Sequence, residues 1–222
     1  LCLLPSALLS TTVERLNKFA VFYKVDINDV SEQWAVMGTH VSQTEGETFS
    51  VTDSETSITV QIDHQRKIQL CSPELALPLW QDNTAQVKHY GLWLKQDIEQ
   101  GLPRLYPETI ESFLPHNLNL IELGAVSFDK GCYTGQETIA RMRYLGKNKR
   151  AMYIVTGNTA ERIEEADIEL QIEDNWRRGG KVIQQTFDAS SGRYYALAVM
   201  PNDTPQDAVL RAKNSPEVSL TI

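Results

Sequence analysis

The chain has 222 residues, 41% hydrophobic and 23% charged, enough for one or two folded domains with a sizeable core. A formal net charge of −8 argues against a general nucleic-acid coat protein, which needs a broad basic face. Three cysteines without CxxC spacing and four scattered histidines without HxH or HExxH spacing give no self-contained zinc or cluster motif, and no P-loop, dinucleotide fingerprint or Gly-x-Ser-x-Gly elbow occurs.

The opening LCLLP reads as a core strand entering a helix, because Leu9, Val13, Leu16 and Ala20 recur at helical spacing. No positive segment precedes this short apolar run and no small-residue cleavage site follows, so it does not read as a signal peptide. It is also too short to cross a membrane. The cysteine usage fits a reducing cytoplasm. The abrupt start without methionine suggests a fragment. Strands are expected at residues 33–39, 48–52, 57–62 and 67–71, separated by polar turns such as residues 44–47. A helix is expected over residues 84–100, with Val87, Gly91, Leu94 and Ile98 on one face and a stop at Gly101 and Pro103. Trp93 lies at the edge of that stripe, where an indole packs with one face and offers the other to a ligand; the plain alternative is an ordinary half-buried tryptophan.

Residues 127–141, SFDKGCYTGQETIAR, place Cys132 just ahead of a helix start. Thr134 and Glu137 have the spacing of a capping box. Unpaired amides and the helix dipole then lie one or two residues beyond Cys132, and with Lys130 two residues before it they bias the thiol toward thiolate. The alternative is a buried cysteine beside a glycine turn. No acidic residue occurs from 138 to 160, while Arg141, Arg143, Lys147, Lys149 and Arg150 fall within ten positions, so the run reads either as a solvated connection between domains or as an anion site for a ligand's carboxylate tail, a phosphate or an acidic partner. Only Tyr144 interleaves these charges, which argues against direct grip on tRNA. Beyond residue 150, short alternating runs at 152–156, 168–172, 180–185, 194–200 and 209–212 predict a small antiparallel sheet or barrel. The acid-rich stretch 161–174 reads as a solvated face and loop.

The string KGCYTGQE, with Ser127-Phe128 ahead and Arg141 after it, resembles the signature of the YgfZ family of folate-binding, tRNA-modifying proteins, relatives of the glycine-cleavage T-protein (aminomethyltransferase). Pro115, Asn119-Leu120 and Gly124 extend the likeness upstream, as do Trp93, Ile98-Glu99, Gly101 and Pro103. Downstream it continues in Asn148-Lys149-Arg150 and in Asn175-Trp176-Arg177-Arg178 followed by Gly180, so that it runs from about residue 13 to the end. The resemblance implies an α+β fold: a truncated T-protein-like folate-binding domain at residues 1–147, its N-terminal portion missing, then a small antiparallel β-barrel domain at 148–222.

It also implies a cytoplasmic accessory protein with tetrahydrofolate as cofactor, supporting iron–sulfur proteins that include tRNA-modifying enzymes. Trp93 then lines the folate pocket, a sensible surface for a flat pteridine. Cys132 is the reactive thiol with Lys130 beside it, and Tyr133, Gln136, Glu137 and Arg141 complete the cofactor-binding set. One cysteine holds a cluster only with ligands from outside. The rival reading is a folate-dependent aminomethyl or methyl transferase of the T-protein type. That relative carries an acidic residue where Cys132 stands, and its key carboxylate belongs to the N-terminal region. A third reading is a plain folate store in which Cys132 is dispensable.

Overall fold

A computed structural model describes residues 1–42, 46–82, 87–146, 148–164 and 167–222. It divides into two compact units, Thr11–His89 and a second formed by Leu1–Ser10 with Tyr90–Ile222. The expected N-terminal strand does not form. Residues 1–5 are irregular, Leu1 and Leu3 are exposed, and a 3-10 turn at Ser6–Leu8 leads into α1 (Leu9–Ala20). A short apolar run carries no period of its own, so it does not by itself specify a strand. The helical spacing after it is realised, although no residue of α1 is buried.

Within Thr11–His89, four antiparallel strands form a sheet in the order β1-β4-β3-β2: β1 (Ala35–His40), β2 (Val51–Asp53), β3 (Ser57–Gln61) and β4 (Arg66–Cys71). The tight β3–β4 turn is fixed by Asp63, whose carboxylate accepts from the Gln65 amide at 2.8 Å and from Arg66 Nε at 2.6 Å. Strand β2 begins later than expected, because Phe49 takes a left-handed φ of 62° and the Ser50 amide bonds back to Glu47. Part of the predicted turn at 44–47 lies outside the described residues. Helix α2 (Pro73–Asp82) was not expected. Its start signal is Ser72-Pro73-Glu74: the Ser72 carbonyl accepts from Leu75 and Ala76, and proline suits the first helical position.

The other unit opens with α3 (Tyr90–Glu99); the expected start at Thr84 lies outside the described residues. The predicted stop is present in full. Gly101 adopts a φ of 64°, its amide donates to Ile98 and that of Leu102 to Asp97, the two bonds of a Schellman motif. Among the described residues, six antiparallel strands close a barrel in the order β10-β5-β8-β7-β6-β9. They are β5 (Arg150–Asn158), β6 (Asp167–Ile172), β7 (Asn175–Asp188), β8 (Arg193–Pro201), β9 (Leu210–Ala212) and β10 (Ser215–Thr221).

Strand β8 is buried on both faces and divides two cores. Tyr194, Ala196, Ala198 and Met200 join Val155, Ile168, Leu210 and Val218 inside the barrel, whereas Tyr195, Leu197 and Val199 pack outward with Ile98 of α3, Met152 and Ile183. The interior is tight: a Cβ at Gly157 would stand 2.8 Å from the Ser219 carbonyl oxygen. Strand β7 begins five residues before the expected position because Glu173, at a φ of 56°, turns the chain so that Asn175 pairs with Ile172. The acid-rich stretch is only partly solvated, since Ile163 and Ile168 are buried and Glu169 forms an ion pair with Arg211 at 2.7 Å. The chain is therefore α+β with a closed barrel in its C-terminal part.

Candidate functional site

Cys132 lies on an irregular loop that enters α4 (Gln136–Leu145). The expected capping box does not form. Gly135, at a φ of 89°, occupies the N-cap and no side chain caps the helix. Glycine reaches positive φ at little cost, so the turn closes one residue later than Thr134. Gln136 ties the turn instead: its amide donates to the Tyr133 carbonyl at 3.1 Å, and its Oε1 accepts from the Tyr133 amide at 3.3 Å. Buried Ile139 anchors the helix. At the far end the Arg143 guanidinium lies 4.0 Å over the Phe128 ring, and Phe128 meets Tyr144 edge-on at 6.5 Å, so the two ends of the 128–144 segment are held together.

Within this frame Cys132 is an exposed, free thiol four residues before the helix. Lys130 sits with its Nζ 4.9 Å over the Tyr133 ring, an aromatic cation site. The Tyr133 hydroxyl is buried and has no hydrogen-bond partner among the described residues. Lys130, Tyr133 and Gln136 thus come together around the thiol-bearing loop, while Glu137 and Arg141 form an exposed pair at 3.5 Å along the helix. Such a pair contributes only about 0.3 kcal/mol and leaves the guanidinium available. Lys147 of the basic run lies outside the described residues.

Trp93 is half-buried on α3, a separate element. Cavities among the described residues lie elsewhere. One of about 330 Å³ in the Thr11–His89 unit is bordered by Trp34, Asp53, Glu55 and Ser72; one of about 90 Å³ lies in the barrel wall. Neither is lined by Trp93 or Cys132.

Several residues that hold this unit together escaped the sequence reading. Buried Asp97 accepts from Arg104 Nε at 2.7 Å, and Lys95 pairs with Asp188 of β7 at 3.1 Å, fastening α3 to the barrel. The Asp97 carboxylate raises the Arg104 pKa against the opposing effect of burial, which is the larger influence taken singly. Burial pushes Tyr106 up as well. The motif asparagines are structural: Asn119 exchanges both amide bonds with the Met152 backbone, at 2.8 and 3.2 Å, and Asn148 bonds Asn117 at 3.0 Å. Their signal was their presence in the motif, but a role in strand docking needs the fold. Among the described residues no group of three or more His, Cys, Asp or Glu is placed to hold a metal ion, and no helix is long and apolar enough to cross a membrane.

Comparison with known proteins adds two findings. The family model for the YgfZ β-barrel domain matches residues 148–215. The tRNA-modifying protein YgfZ of Photobacterium profundum is 35% identical over 217 residues, covering 93% of this chain and 66% of that protein. Its counterpart from Edwardsiella ictaluri is 34% identical over 226 residues, covering 93% and 67%, and that from Yersinia enterocolitica 34% identical over 232 residues, covering 97% and 70%. The chain spans about two thirds of the length of these curated relatives.

Proposed function

Because the chain belongs to the YgfZ family, we propose that it is a folate-binding accessory protein that supports tRNA modification, with Cys132 as its reactive group. The observation that carries this reading is the exposed Cys132 thiol on a loop whose neighbours are held in place, Lys130 on Tyr133 and Tyr133 on Gln136. An exposed thiol is the form of cysteine that reaches electrophiles and metal ions in a partner. A single cysteine supplies one cluster ligand, so the partners are iron–sulfur proteins, tRNA-modifying enzymes among them, that bring the remaining ligands. The setting is the cytoplasm, where thiols stay reduced.

Support for tetrahydrofolate as the ligand comes from one orphaned polar group and the side chains around it. The buried Tyr133 hydroxyl lacks a partner among the described residues and would satisfy one polar group of a ligand, which removes the cost of an orphaned buried group. Trp93 would offer a face to the pteridine, Gln136 and Glu137 polar atoms at the helix start, and Arg141 a guanidinium to a carboxylate tail. When bound, folate supplies a carrier for one-carbon units. Lys130 holds positive charge at the loop, and Cys132 stays accessible to the partner.

The test is complementation of a bacterium deleted for its own YgfZ protein, read as the content of modified nucleosides in its tRNA. The parent chain restores modification and Cys132→Ala does not, at equal protein level. Full restoration by Cys132→Ala removes the thiol from the function.

A further inference from the structure

We propose that the barrel wall carries a phosphate-binding site formed by Arg150, Arg178 and Lys181, distinct from the Cys132 loop. The register brings these three together. Lys181 stands opposite Val199, and Arg150 opposite Pro201, so the two cations flank the last residues of β8 from either side. Val199 belongs to the outward-packing cluster, and Pro201 shares its face, so their cross-strand partners also face outward. The Lys181 ammonium accordingly lies 6.0 Å from the ring of Phe113, which packs against that outer cluster.

Arg178 arrives by a bulge. Glu169 pairs with Arg178 and Ile168 with Gly180, leaving Gly179 unpaired, and bulges re-aim the residues beside them. No side chain fits in place of either glycine. A Cβ at Gly179 would stand 2.9 Å from Leu170 Cβ, and one at Gly180 would stand 2.9 Å from the Val199 carbonyl oxygen. The result is a cavity of about 90 Å³ with bare backbone at Gly179–Gly180 and three cations on its border.

No carboxylate lines the cavity, and among the described residues none of the three cations forms an ion pair. Asp167 stands across from Lys181 and Glu169 from Arg178, but Glu169 is taken by Arg211 and, among the described residues, no ion pair joins Asp167 to Lys181, so repulsion among the three cations persists. A bound anion removes that repulsion. Two guanidinium forks and an ammonium match a tetrahedral dianion better than a carboxylate, which satisfies one fork only. The frame is also fixed before any ligand binds. The Arg150 amide donates to Asn148 Oδ1 at 3.3 Å, and the Asn202 amide donates to the Lys149 carbonyl at 3.1 Å. The shared chemistry is the phosphate group, free or as a phosphodiester of RNA.

Amide NMR of the full chain tests this, titrating inorganic phosphate and, separately, a single-stranded RNA hexanucleotide at fixed ionic strength. Saturable shifts at Gly179, Gly180 and Lys181 are expected, with affinity falling about tenfold or more in Arg178→Gln/Lys181→Gln. Saturation by phosphate alone assigns the site to free phosphate; tighter saturation by RNA, with a shallower salt dependence in the double variant, assigns it to the phosphodiester. Should the double variant lose its fold, Arg178→Lys, which keeps the charge and loses the fork, is expected to weaken binding several-fold. Absence of saturation by either probe up to about 20 mM, or equal shifts in parent and folded variant, overturns the site.

Discussion

The guanidinium of Arg104 donates through Nε to the carboxylate of Asp97 across 2.7 Å, although Asp97 is only 4% exposed. The same guanidinium donates to the Tyr90 hydroxyl at 2.6 Å, and the Arg104 backbone amide donates to Gln184 Oε1 of β7 at 2.8 Å. One residue past the α3 stop therefore neutralises a buried charge on the helix and binds the barrel. The Gly101 turn makes this possible by returning the chain toward the helix that it has just left.

Asp97→Ala leaves that guanidinium without its counter-charge. The expected loss is about 2 kcal/mol, below the usual figure for a fully buried pair because the Arg104 side chain is 29% exposed. Asp97→Ala/Arg104→Met should recover part of it, since no charge is then left unpaired. Denaturant midpoints measure both. A parental midpoint in Asp97→Ala would show that the pair holds nothing.

Asp188 gives the second bond between α3 and the barrel its pH dependence. Its Oδ1 accepts from the Ser190 hydroxyl at 2.6 Å and its Oδ2 from Lys95 at 3.1 Å. The Ser190 hydroxyl, then Lys95, hold this carboxyl well below the usual carboxylate range. With the folded pKa lowered, the unfolded chain binds the proton more tightly. The stabilisation is then fully present above the unfolded value of about 3.9 and fades as pH falls below it. Asp188→Asn should depress the melting temperature at about pH 6 and by clearly less at about pH 3. Equal depression at both would remove Asp188 as the source.

The barrel was legible because short apolar, β-rich runs recur between polar turns beyond residue 150, although β8, apolar on both faces, hides which residues point inward; the α3 stop was legible because Gly101 and Pro103 carry their own geometry. Two local signals misled. LCLLP is apolar without a period, and Thr134 matched a cap that Gly135 takes. Helix α2 was missed although Ser72-Pro73-Glu74 announces it. Other features were out of reach. Lys95 and Asp188 are 93 positions apart, and Arg150, Arg178 and Lys181 converge only through strand register. At the candidate site, Cys132 is exposed rather than the buried cysteine of the alternative reading, whereas the orphaned Tyr133 hydroxyl depends on packing.

Thiol chemistry separates the cysteines without reference to activity. Cys2 and Cys132 are exposed, and Cys71 is 1% exposed at the end of β4. Native protein should take up two equivalents of iodoacetamide and the third only in denaturant. Cys132→Ala should take up one and change stability by no more than about 0.5 kcal/mol, as for other surface substitutions. A clear destabilisation would recast Cys132 as a packing residue.

Trp93 and Tyr133 supply the last prediction, a pair of substitutions with opposite logic. If a pteridine stacks on the indole, tetrahydrofolate quenches part of the fluorescence of the four tryptophans, and Trp93→Phe removes that part. A smaller ring weakens stacking by about 1 kcal/mol, roughly fivefold in affinity. Tyr133→Phe deletes a hydroxyl that has no partner among the described residues, so the fold should be unharmed or slightly more stable. If that hydroxyl meets the ligand, the same change weakens folate binding by about 1 kcal/mol. A melting temperature that holds while affinity drops marks a binding group, because a packing role would move both. Unchanged affinity and quench in both variants would remove these two residues from the proposed pocket, leaving Cys132 to be judged by its own complementation.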